Sequence, residues 1–391
     1  MTKKFDLIVV GGGILGTFHA FHALNAGLKV LLLEKDNYPV GATVRNFGQV
    51  VPSGMEGKWF EFGVKGLGVY RELQQKFDIS VRNNGSVYIA SDPDEQQLLH
   101  ELKAHYDTVG YDCELLTKKE IGQKYPAIRS SYAREALYFP QEISVEPGRM
   151  ILRVHEYMKQ HFPGFQLMYD SPVTDCTEGS AGVEVAVSGN RKFISEKVVI
   201  CNGNEFKLLF PDIFARSGQK VSKLQMMRTS PMPAIDLEGN ILTGLTIRRY
   251  ESFAKYCPSF KSIPVPDHYR ELQEHGIHVL FKKAVDGSFV IGDSHHYADV
   301  TRTDDLGYDL DEHVNDLILR EASRIADFDV SAITARWAGF YPQHPDNIVE
   351  ITVSDHVFIR TAIGGKGMTA GIAYAQDSIE RICTGDAPVS L

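Results

Sequence analysis

The pattern of apolar and polar residues over the first forty positions predicts a βαβ unit. An apolar run over residues 5–10 has the length of a parallel strand that is buried on both faces. A helical stretch over residues 17–26, closed by Gly27, and a second strand over residues 29–33 come next. The second strand ends on Glu34.

The turn between the first strand and the helix carries the spacing of a dinucleotide-binding loop. Gly11 permits a tight turn, Gly13 lets the backbone approach a pyrophosphate, and Gly16 lets the helix pack closely on the strand. The helix N-terminus offers N–H groups and a positive dipole end to the phosphates. Glu34 is placed to accept hydrogen bonds from the ribose hydroxyls. The spacing predicts a dinucleotide but does not separate FAD from NAD.

Composition and charge narrow the class of protein. The 391 residues are 43% hydrophobic and 23% charged, as in an ordinary globular protein long enough for two domains. A net charge of −9 argues against general nucleic-acid binding. The amino-terminal apolar run is too short for a membrane span and lacks a signal-peptide pattern. The five cysteines form no CxxC pair and no metal-like spacing with histidine, so we expect reduced thiols, a cytoplasmic location and no metal site.

A polar loop punctuated by glycine follows the second strand over residues 41–49. Five later segments, at residues 85–90, 145–148, 198–203, 336–347 and 364–369, accompany it in a fixed order along the chain. Together they resemble the D-amino acid oxidase, glycine oxidase and sarcosine oxidase superfamily of FAD-dependent oxidoreductases. The resemblance implies FAD as the cofactor.

The resemblance also implies a discontinuous α/β (α+β) fold of the glycine oxidase type. A Rossmann-like FAD-binding domain is expected over residues 1–82, 144–220 and 331–391. A substrate domain with a mostly antiparallel sheet is expected over residues 83–143 and 221–330. The ligand should lie between the domains, where concave sites are common.

The residues expected to bind FAD combine the glycine turn with the positions that match the family. Neither a cysteine near Phe340 and Tyr341 nor a histidine in the 41–49 loop is present, so we expect non-covalent FAD. The expected set is Gly11, Gly13, Ile14, Leu15, Gly16, Glu34, Lys35, Thr43, Arg45, Asn46, Phe47, Gly48, Gln49, Val173, Asn202, Gly203, Gly339, Gly364, Gly365, Lys366, Gly367, Met368 and Thr369.

The chemistry that the resemblance implies is the oxidation of an amine. A hydride leaves the carbon that bears the amine for flavin N5, and the resulting imine hydrolyses to a carbonyl compound and free amine. O2 or another acceptor then reoxidises the flavin, and the sequence leaves that choice and the oligomeric state open. Lys366, beside the expected flavin edge, is a candidate catalytic cation, and a solvent-exposed role is the alternative.

The chain departs from the amino-acid oxidases where they bind the substrate carboxylate. Tyr341 stands where those enzymes carry an arginine, and Lys366 lies in the turn where glycine oxidase-like relatives carry a second one. A phenol cannot replace the bidentate guanidinium fork. The departure favours a substrate without a conventional α-amino carboxylate, or with a different anion.

Two other segments offer polar groups for such an anion. His295 lies at a strand end that reaches over the flavin in the family, and we expect it to be catalytic and to bind substrate. A predicted strand over residues 245–250 places Arg248 and Tyr250 on one face and Arg249 on the other. Only one of the two arginines should therefore face the pocket, and the sequence leaves open which one. The expected substrate-binding residues are Arg248, Tyr250, His295 and Tyr341, whereas His296 and Arg336 are interpreted as structural.

This pattern resembles a superfamily branch associated with aminophosphonate breakdown. It implies 2-aminoethylphosphonate or its N-methyl form as the substrate. The alternatives are an oxidase of D-amino acids, glycine or sarcosine, a dehydrogenase of the same fold that uses an acceptor other than O2, and a non-catalytic flavoprotein.

Overall fold

The computed structural model describes residues 4–385. Its strands, numbered along the chain, are β1 Lys4–Val10, β2 Val30–Leu33, β3 Gln49–Val50, β4 Ser86–Ala90, β5 Glu114–Thr117, β6 Glu135–Phe139, β7 Ile143–Ser144, β8 Phe165–Met168, β9 Val173–Gly179, β10 Gly182–Val187, β11 Arg191–Ile200, β12 Lys220–Thr229, β13 Asn240–Leu242, β14 Leu280–Lys283, β15 Phe289–Gly292, β16 His296–Asp299, β17 Ile333–Gln343, β18 Val349–Thr352 and β19 Val357–Thr361.

The α-helices lie between these strands. They are α1 Ile14–Asn25, α2 Gly57–Lys76, α3 Pro93–Val109, α4 Lys118–Lys124, α5 Pro147–His161, α6 Pro211–Arg216, α7 Gly244–Ile247, α8 Glu251–Tyr256, α9 Arg270–Glu274, α10 Glu312–Ile325 and α11 Gly367–Thr384.

The first sheet holds the predicted βαβ unit. Its strand order is β18-β19-β11-β1-β2-β8, and β1 pairs in parallel with β2 and β11. Leu7 and Val9 of β1 pack in one core with helices α1, α2, α5 and α11, whereas Ile8 and Val10 pack on the β9–β10 hairpin side. The fully covered part of β1, from Leu7 to Val10, is apolar on both faces.

The second sheet is mostly antiparallel. Its order is β16-β12-β15-β14-β13-β4-β6-β5, with β17 paired to β12. Helix α10 packs on one face, and helices α3 and α8 pack on the other. The predicted α/β fold class, with a Rossmann-like sheet and a mostly antiparallel partner, is confirmed.

The position of β17 departs from the predicted division of the chain. Residues 331–391 were assigned to the FAD-binding domain, but β17 pairs with β12 from Lys220 to Thr229 as part of the second sheet. Gly339 and Tyr341 therefore belong to the second sheet, where they pair with Leu224 and Ser222. The other predicted boundaries remain predictions, and residues 1–3 and 386–391 lie outside the described residues.

The strand predicted over residues 245–250 was wrong. Thr246 and Arg248 donate backbone hydrogen bonds to the carbonyls of Thr243 and Gly244, which form the short helix α7. A Cβ on Gly244 would lie 2.4 Å from a carboxylate oxygen of the buried Glu95, so the backbone of α7 packs directly against that side chain. The alternation of faces predicted for Arg248, Arg249 and Tyr250 is consequently absent.

Candidate active site

A cleft with about 1330 Å³ of empty space, part of it open to solvent, runs along the carboxyl ends of β1, β2, β11 and β19. Parallel α/β sheets bind their ligands at this edge. Fifteen residues of the predicted cofactor set line it: Gly11, Gly13, Ile14, Leu15, Glu34, Lys35, Thr43, Asn46, Val173, Asn202, Gly203, Gly364, Gly365, Gly367 and Met368.

The glycine turn forms a cradle that side chains would fill. Gly11 has a φ of +102°, and a Cβ there would lie 2.2 Å from the carbonyl oxygen of Cys201. A Cβ on Gly16 would lie 1.8 Å from the carbonyl oxygen of Gly11. Gly16 does not line the cleft, and its role is the close packing of α1 on the turn.

Two side chains outside the glycine turn accept hydrogen bonds from its backbone. The Glu34 carboxylate accepts a hydrogen bond of 2.8 Å from the Gly12 N–H, and the Thr43 hydroxyl accepts one of 2.9 Å from the Ile14 N–H. Burial raises the pKa of Glu34, although hydrogen bonds from the Asp36 and Gly12 backbone oppose this. Sequence reasoning assigned Glu34 to the ribose and missed its contact with the turn.

The cleft wall also offers an unused acceptor. The Oδ1 atom of Asn202 is buried and has no hydrogen-bond partner within residues 4–385. The turn, the helix N-terminus of α1 and this acceptor together fit a dinucleotide such as FAD.

Six of the predicted cofactor residues that do not line the cleft lie in the 41–51 loop or next to it, and their contacts reach the second sheet and helix α11. The Arg45 guanidinium donates to Val40 O and Ala338 O, and Gln49 Nε2 donates to Phe281 O at 3.2 Å. The others of this group are the buried Phe47, Gly48 against Val145 O, Gly339 against Arg45 O and Tyr341, and Thr369, whose hydroxyl accepts from Val51 N.

Tyr341 joins the cleft to the second sheet. It lines the cleft, and its hydroxyl donates to Arg45 O at 3.0 Å. Burial, followed by the negative charge of Asp293, raises the pKa of this phenol.

Lys366 is engaged in an ion pair. Its ammonium lies 2.5 Å from a carboxylate oxygen of Glu251 on α8 and donates to Asn347 Oδ1 at 3.0 Å. The carboxylate compensates the charge of Lys366, which disfavours the predicted role as a catalytic cation.

The structure distinguishes the two neighbouring arginines. The Arg248 side chain is 3% exposed and binds Glu95 at 2.8 Å and Asp92 at 2.7 Å. This double ion pair engages its guanidinium, so the expectation that Arg248 binds substrate is corrected. Arg249 is exposed, and its one side-chain hydrogen bond within the described residues runs to the Tyr297 hydroxyl at 3.1 Å.

Tyr250 lies beside the 41–54 segment and the histidines. A Cβ on Gly54 would lie 2.5 Å from its ring, and the ring centroid is 5.8 Å from that of His278. Burial, followed by the charge of Asp293, raises the pKa of its hydroxyl.

His295 belongs to a buried cluster with two residues that sequence reasoning missed. His278 Nε2 lies 2.8 Å from Asp293 Oδ1, and His295 Nδ1 lies 3.8 Å from the same oxygen. The backbones of His278 and Asp293 also exchange hydrogen bonds of 3.1 and 2.9 Å. The Asp-Gly turn at residues 286–287 predicts a hairpin that brings these residues together, and that signal was available in the sequence.

The three side chains could hold a metal ion, since their ligand atoms lie within 4.8 Å of one another. The expected absence of a metal site stays a prediction. Within the described residues, helices are either too short or too polar to cross a membrane.

Known proteins resemble this chain over its whole fold and over part of its sequence. Glycine oxidase from Geobacillus kaustophilus (strain HTA426) is 23% identical over 218 residues, which are 52% of this chain and 55% of the relative. N-methyl-L-tryptophan oxidase from Yersinia pestis (strain Pestoides F) is 22% identical over 56% of this chain and 58% of the relative. The chain spans less than two thirds of the length of the curated relatives it matches, from 18% to 58%.

Solved structures share the fold at low identity. A glycine oxidase from Geobacillus kaustophilus superposes with a TM-score of 0.75 and 17% identity over 97% of this chain and 95% of that chain. An L-proline dehydrogenase from P. horikoshii gives 0.79 and 16% over 100% and 96%. An L-α-glycerophosphate oxidase from Mycoplasma pneumoniae, solved with FAD bound, gives 0.76 and 15% over 97% and 95%.

The DAO family model, described as FAD dependent oxidoreductase, matches residues 6–381. This match covers nearly the whole chain. The FAD in the family description agrees with the dinucleotide-binding glycine turn in the cleft. The chain belongs to the DAO family of FAD dependent oxidoreductases, and its cofactor is FAD.

Proposed function

We propose that the protein oxidises a small amine that carries an anionic group, such as 2-aminoethylphosphonate or its N-methyl form, to a carbonyl compound. The observation that carries the proposal is the position of Tyr341 in the wall of the cleft. By resemblance, this position carries the carboxylate-binding arginine in the amino-acid oxidases, so the departure favours a substrate with a different anion.

FAD, when bound, accepts the two electrons taken from the amine-bearing carbon. The chain binds and orients the substrate against it. The glycine turn with the N-terminus of α1 would hold the pyrophosphate, and the turn at Gly364 and Gly365, which also lines the cleft, leads into α11.

Arg249 is the candidate ligand for the anion. Its exposed guanidinium, next to the Tyr297 hydroxyl, offers charge-assisted hydrogen bonds to a phosphonate or a carboxylate. Its charge reaches the cluster, since it contributes to lowering the pKa values of Asp293 and His295. Arg249 thus takes the role that sequence reasoning gave to Arg248.

The experiment that tests the proposal is anaerobic reduction of the purified holoenzyme by a panel of amines. The panel contains glycine, sarcosine, D-alanine, 2-aminoethylphosphonate and its N-methyl form. We expect a phosphonate to bleach the flavin about ten- to a hundred-fold faster than the amino acids at equal concentration, the worth of one or two charge-assisted hydrogen bonds. Faster bleaching by glycine or D-alanine contradicts the anion preference, and no bleaching by any amine favours a non-catalytic flavoprotein.

A matched pair of variants tests the anion ligand. Arg249→Gln should weaken the apparent affinity for the best amine about ten-fold or more, because a charged hydrogen bond is lost. Arg270→Gln removes another exposed arginine, which pairs with Asp267, and should leave that affinity unchanged. An equal effect of the two changes would remove Arg249 from the site.

A dehydrogenase that uses an acceptor other than O2 is the second candidate. The ion pair of Lys366 with Glu251 favours it, because this cation is compensated and not available to assist O2 reduction. Measuring H2O2 released per amine oxidised separates the two, with a ratio near one for an oxidase and near zero for a dehydrogenase.

A further inference from the structure

Three side chains of metal-binding type converge at the open end of the hairpin that β14 and β15 form. His278, Asp293 and His295 each offer one ligand atom, and these atoms all lie within 4.8 Å of one another. Asp293 Oδ1 lies 2.8 Å from His278 Nε2 and 3.8 Å from His295 Nδ1. We call the three side chains the His-Asp-His cluster.

The cluster is shielded from water. Asp293 is 6% exposed and His278 is 5% exposed, while the side chain of His295 is 13% exposed. A carboxylate in such a place is costly unless hydrogen bonds or a cation compensate its charge.

Asp293 Oδ1 is an acceptor without a donor. The atom is buried, and no group within residues 4–385 donates a hydrogen bond to it. His278 Nε2 is only 2.8 Å away, yet the two atoms form no hydrogen bond, because they lie side by side and not along the axis of an N–H group. Two lone-pair atoms held side by side are arranged as two ligands of one metal ion.

The spacing within the cluster agrees with the coordination of such an ion. Zinc binds imidazole nitrogen and carboxylate oxygen at about 2.0–2.2 Å, so neighbouring ligand atoms at tetrahedral or octahedral angles lie roughly 3.0–3.5 Å apart. The two separations from Asp293 Oδ1 fall on either side of this range. Shifts of about half an ångström bring both of them into it.

Neighbouring groups hold the three side chains in place. His278 Nδ1 lies 3.4 Å from the Thr246 hydroxyl, and His295 Nδ1 lies 3.0 Å from the Gly276 carbonyl oxygen. The backbones of His278 and Asp293 exchange hydrogen bonds of 3.1 and 2.9 Å. Imidazoles that bind metals are typically oriented by outer contacts of this kind. The hairpin therefore preorganises the cluster.

We propose that the His-Asp-His cluster binds one divalent transition-metal ion of the Zn²⁺ type. Its ligands are Asp293 Oδ1, His278 Nε2 and one ring nitrogen of His295. Two imidazoles favour such an ion over Mg²⁺ and Ca²⁺, which prefer oxygen ligands. The bound ion ties together the residues that flank β14, β15 and β16. The inference goes beyond the proposed oxidation and does not depend on it, because it needs no substrate.

The positive charge of Arg249 does not exclude a cation from the cluster. The Arg249 guanidinium binds the Tyr297 hydroxyl at 3.1 Å, and the Tyr297 ring centroid is 6.1 Å from that of His295. Arg249 is exposed, so solvent screens its charge, whereas the buried Asp293 carboxylate acts at contact distance. Three protein ligands also leave a coordination position open, and an anion there balances the second charge of the ion.

A second pair of histidines beside the cluster has to be distinguished from it. His275 Nδ1 lies 3.2 Å from His296 Nε2, and both residues are half-buried. Within the described part of the chain no third ligand group joins this pair. Because it offers two ligands and the cluster offers three, we expect the cluster to bind the ion more tightly.

The first test is equilibrium dialysis of chelator-treated, FAD-loaded holoenzyme against Zn²⁺, with the bound metal counted by mass spectrometry. We expect one tightly bound ion per chain. Asp293→Asn keeps the shape but removes the charge, and His278→Gln removes a ligand. Each should weaken the binding by more than about 100-fold, since even the outer partners of metal ligands contribute roughly 10- to 100-fold.

Two variants serve as controls. His275→Gln breaks the neighbouring pair, and His313→Gln removes an exposed histidine of α10 that pairs with Glu271. Both should keep the wild-type affinity for Zn²⁺. Mg²⁺ and Ca²⁺ at the same concentration should not displace the ion.

The second test needs no variant, so it holds even if a substitution prevents folding. Zinc-edge X-ray absorption of wild-type holoenzyme with one equivalent of Zn²⁺ should show two imidazoles and a carboxylate oxygen at about 2.0–2.2 Å. The ion should also raise the melting temperature of the holoenzyme by mass action.

The inference is overturned if the wild type retains no stoichiometric zinc, if the spectrum shows fewer than two imidazoles, if binding survives Asp293→Asn, or if His275→Gln abolishes it. Binding as described makes the expected absence of a metal site wrong. Neither test includes an amine, so failure of the proposed oxidation is detected separately, by the flavin-bleaching panel.

Discussion

Replacement of Gly16 by alanine perturbs the cradle at its tightest point. The added methyl group would lie 1.8 Å from the Gly11 carbonyl oxygen and 3.2 Å from a Val9 methyl, and real contacts of this kind do not fall below 3.0 Å. Helix α1 must therefore move away from the turn by about an ångström or more. That movement displaces the N-terminus of α1, where we expect the pyrophosphate to bind.

The magnitude follows from the contact. Overpacking of this kind costs about 1–3 kcal/mol. If the strain is relieved by opening the turn, the same free energy appears as a loss of FAD affinity of about 5- to 150-fold. Any part of this strain energy that remains in the folded apoprotein should lower its unfolding free energy by the same amount.

The assay is the titration of apoprotein with FAD, followed by flavin fluorescence. Gly68→Ala is the control, since Gly68 is an exposed helical glycine of α2 outside the cleft lining and a Cβ there meets nothing within 4 Å. We expect its FAD affinity to stay within about two-fold of wild type. Wild-type FAD affinity and thermal stability in Gly16→Ala would refute the role given to this glycine.

Three further predictions concern buried and paired charges. Arg248→Met leaves the fully buried Glu95 without its 2.8 Å partner, so chemical denaturation should show a loss of about 3–5 kcal/mol, and a loss below 1 kcal/mol would contradict the ion pair. Burial lowers the pKa of His155 from 6.5 to about 3, so the unfolded chain binds a proton that the native state does not, and stability falls as pH drops from 6.5 towards 3. The His155→Gln variant lacks this titration. The slope of its unfolding free energy against pH should therefore be smaller than that of wild type by up to about 1.4 kcal/mol per pH unit between these pH values, and an unchanged slope would count against burial of a neutral ring. A double-mutant cycle with Lys366→Met and Glu251→Gln should give a coupling of about 1 kcal/mol for this half-buried pair, and additive effects would show that the ion pair contributes nothing.

The sequence predicted the nucleotide half of the molecule well because its determinants are local. Gly11, Gly13 and Gly16 lie within six positions, and their strand and helix follow directly. Helix α1 begins at Ile14, three residues before its predicted start. Gly13 is its N-cap residue, and Gly16 lies in its first turn.

The second half depends on partners that are distant along the chain. The pattern of residues 245–250 favours a strand, but the backbone turns against Glu95, and that residue and Asp92 also engage Arg248. Some 150 positions separate these groups, so no local pattern identifies which arginine is engaged and which is exposed. Tyr341 lines the cleft, and its predicted role in binding substrate stays a prediction.

The most direct measurement of amine oxidation is the yield of carbonyl product in a single anaerobic turnover with 2-aminoethylphosphonate or its N-methyl form. Mass spectrometry of the quenched mixture should find one equivalent of aldehyde for each equivalent of bound FAD that is bleached. Bleaching without a carbonyl product, or aldehyde formed while the flavin stays oxidised, would contradict the account.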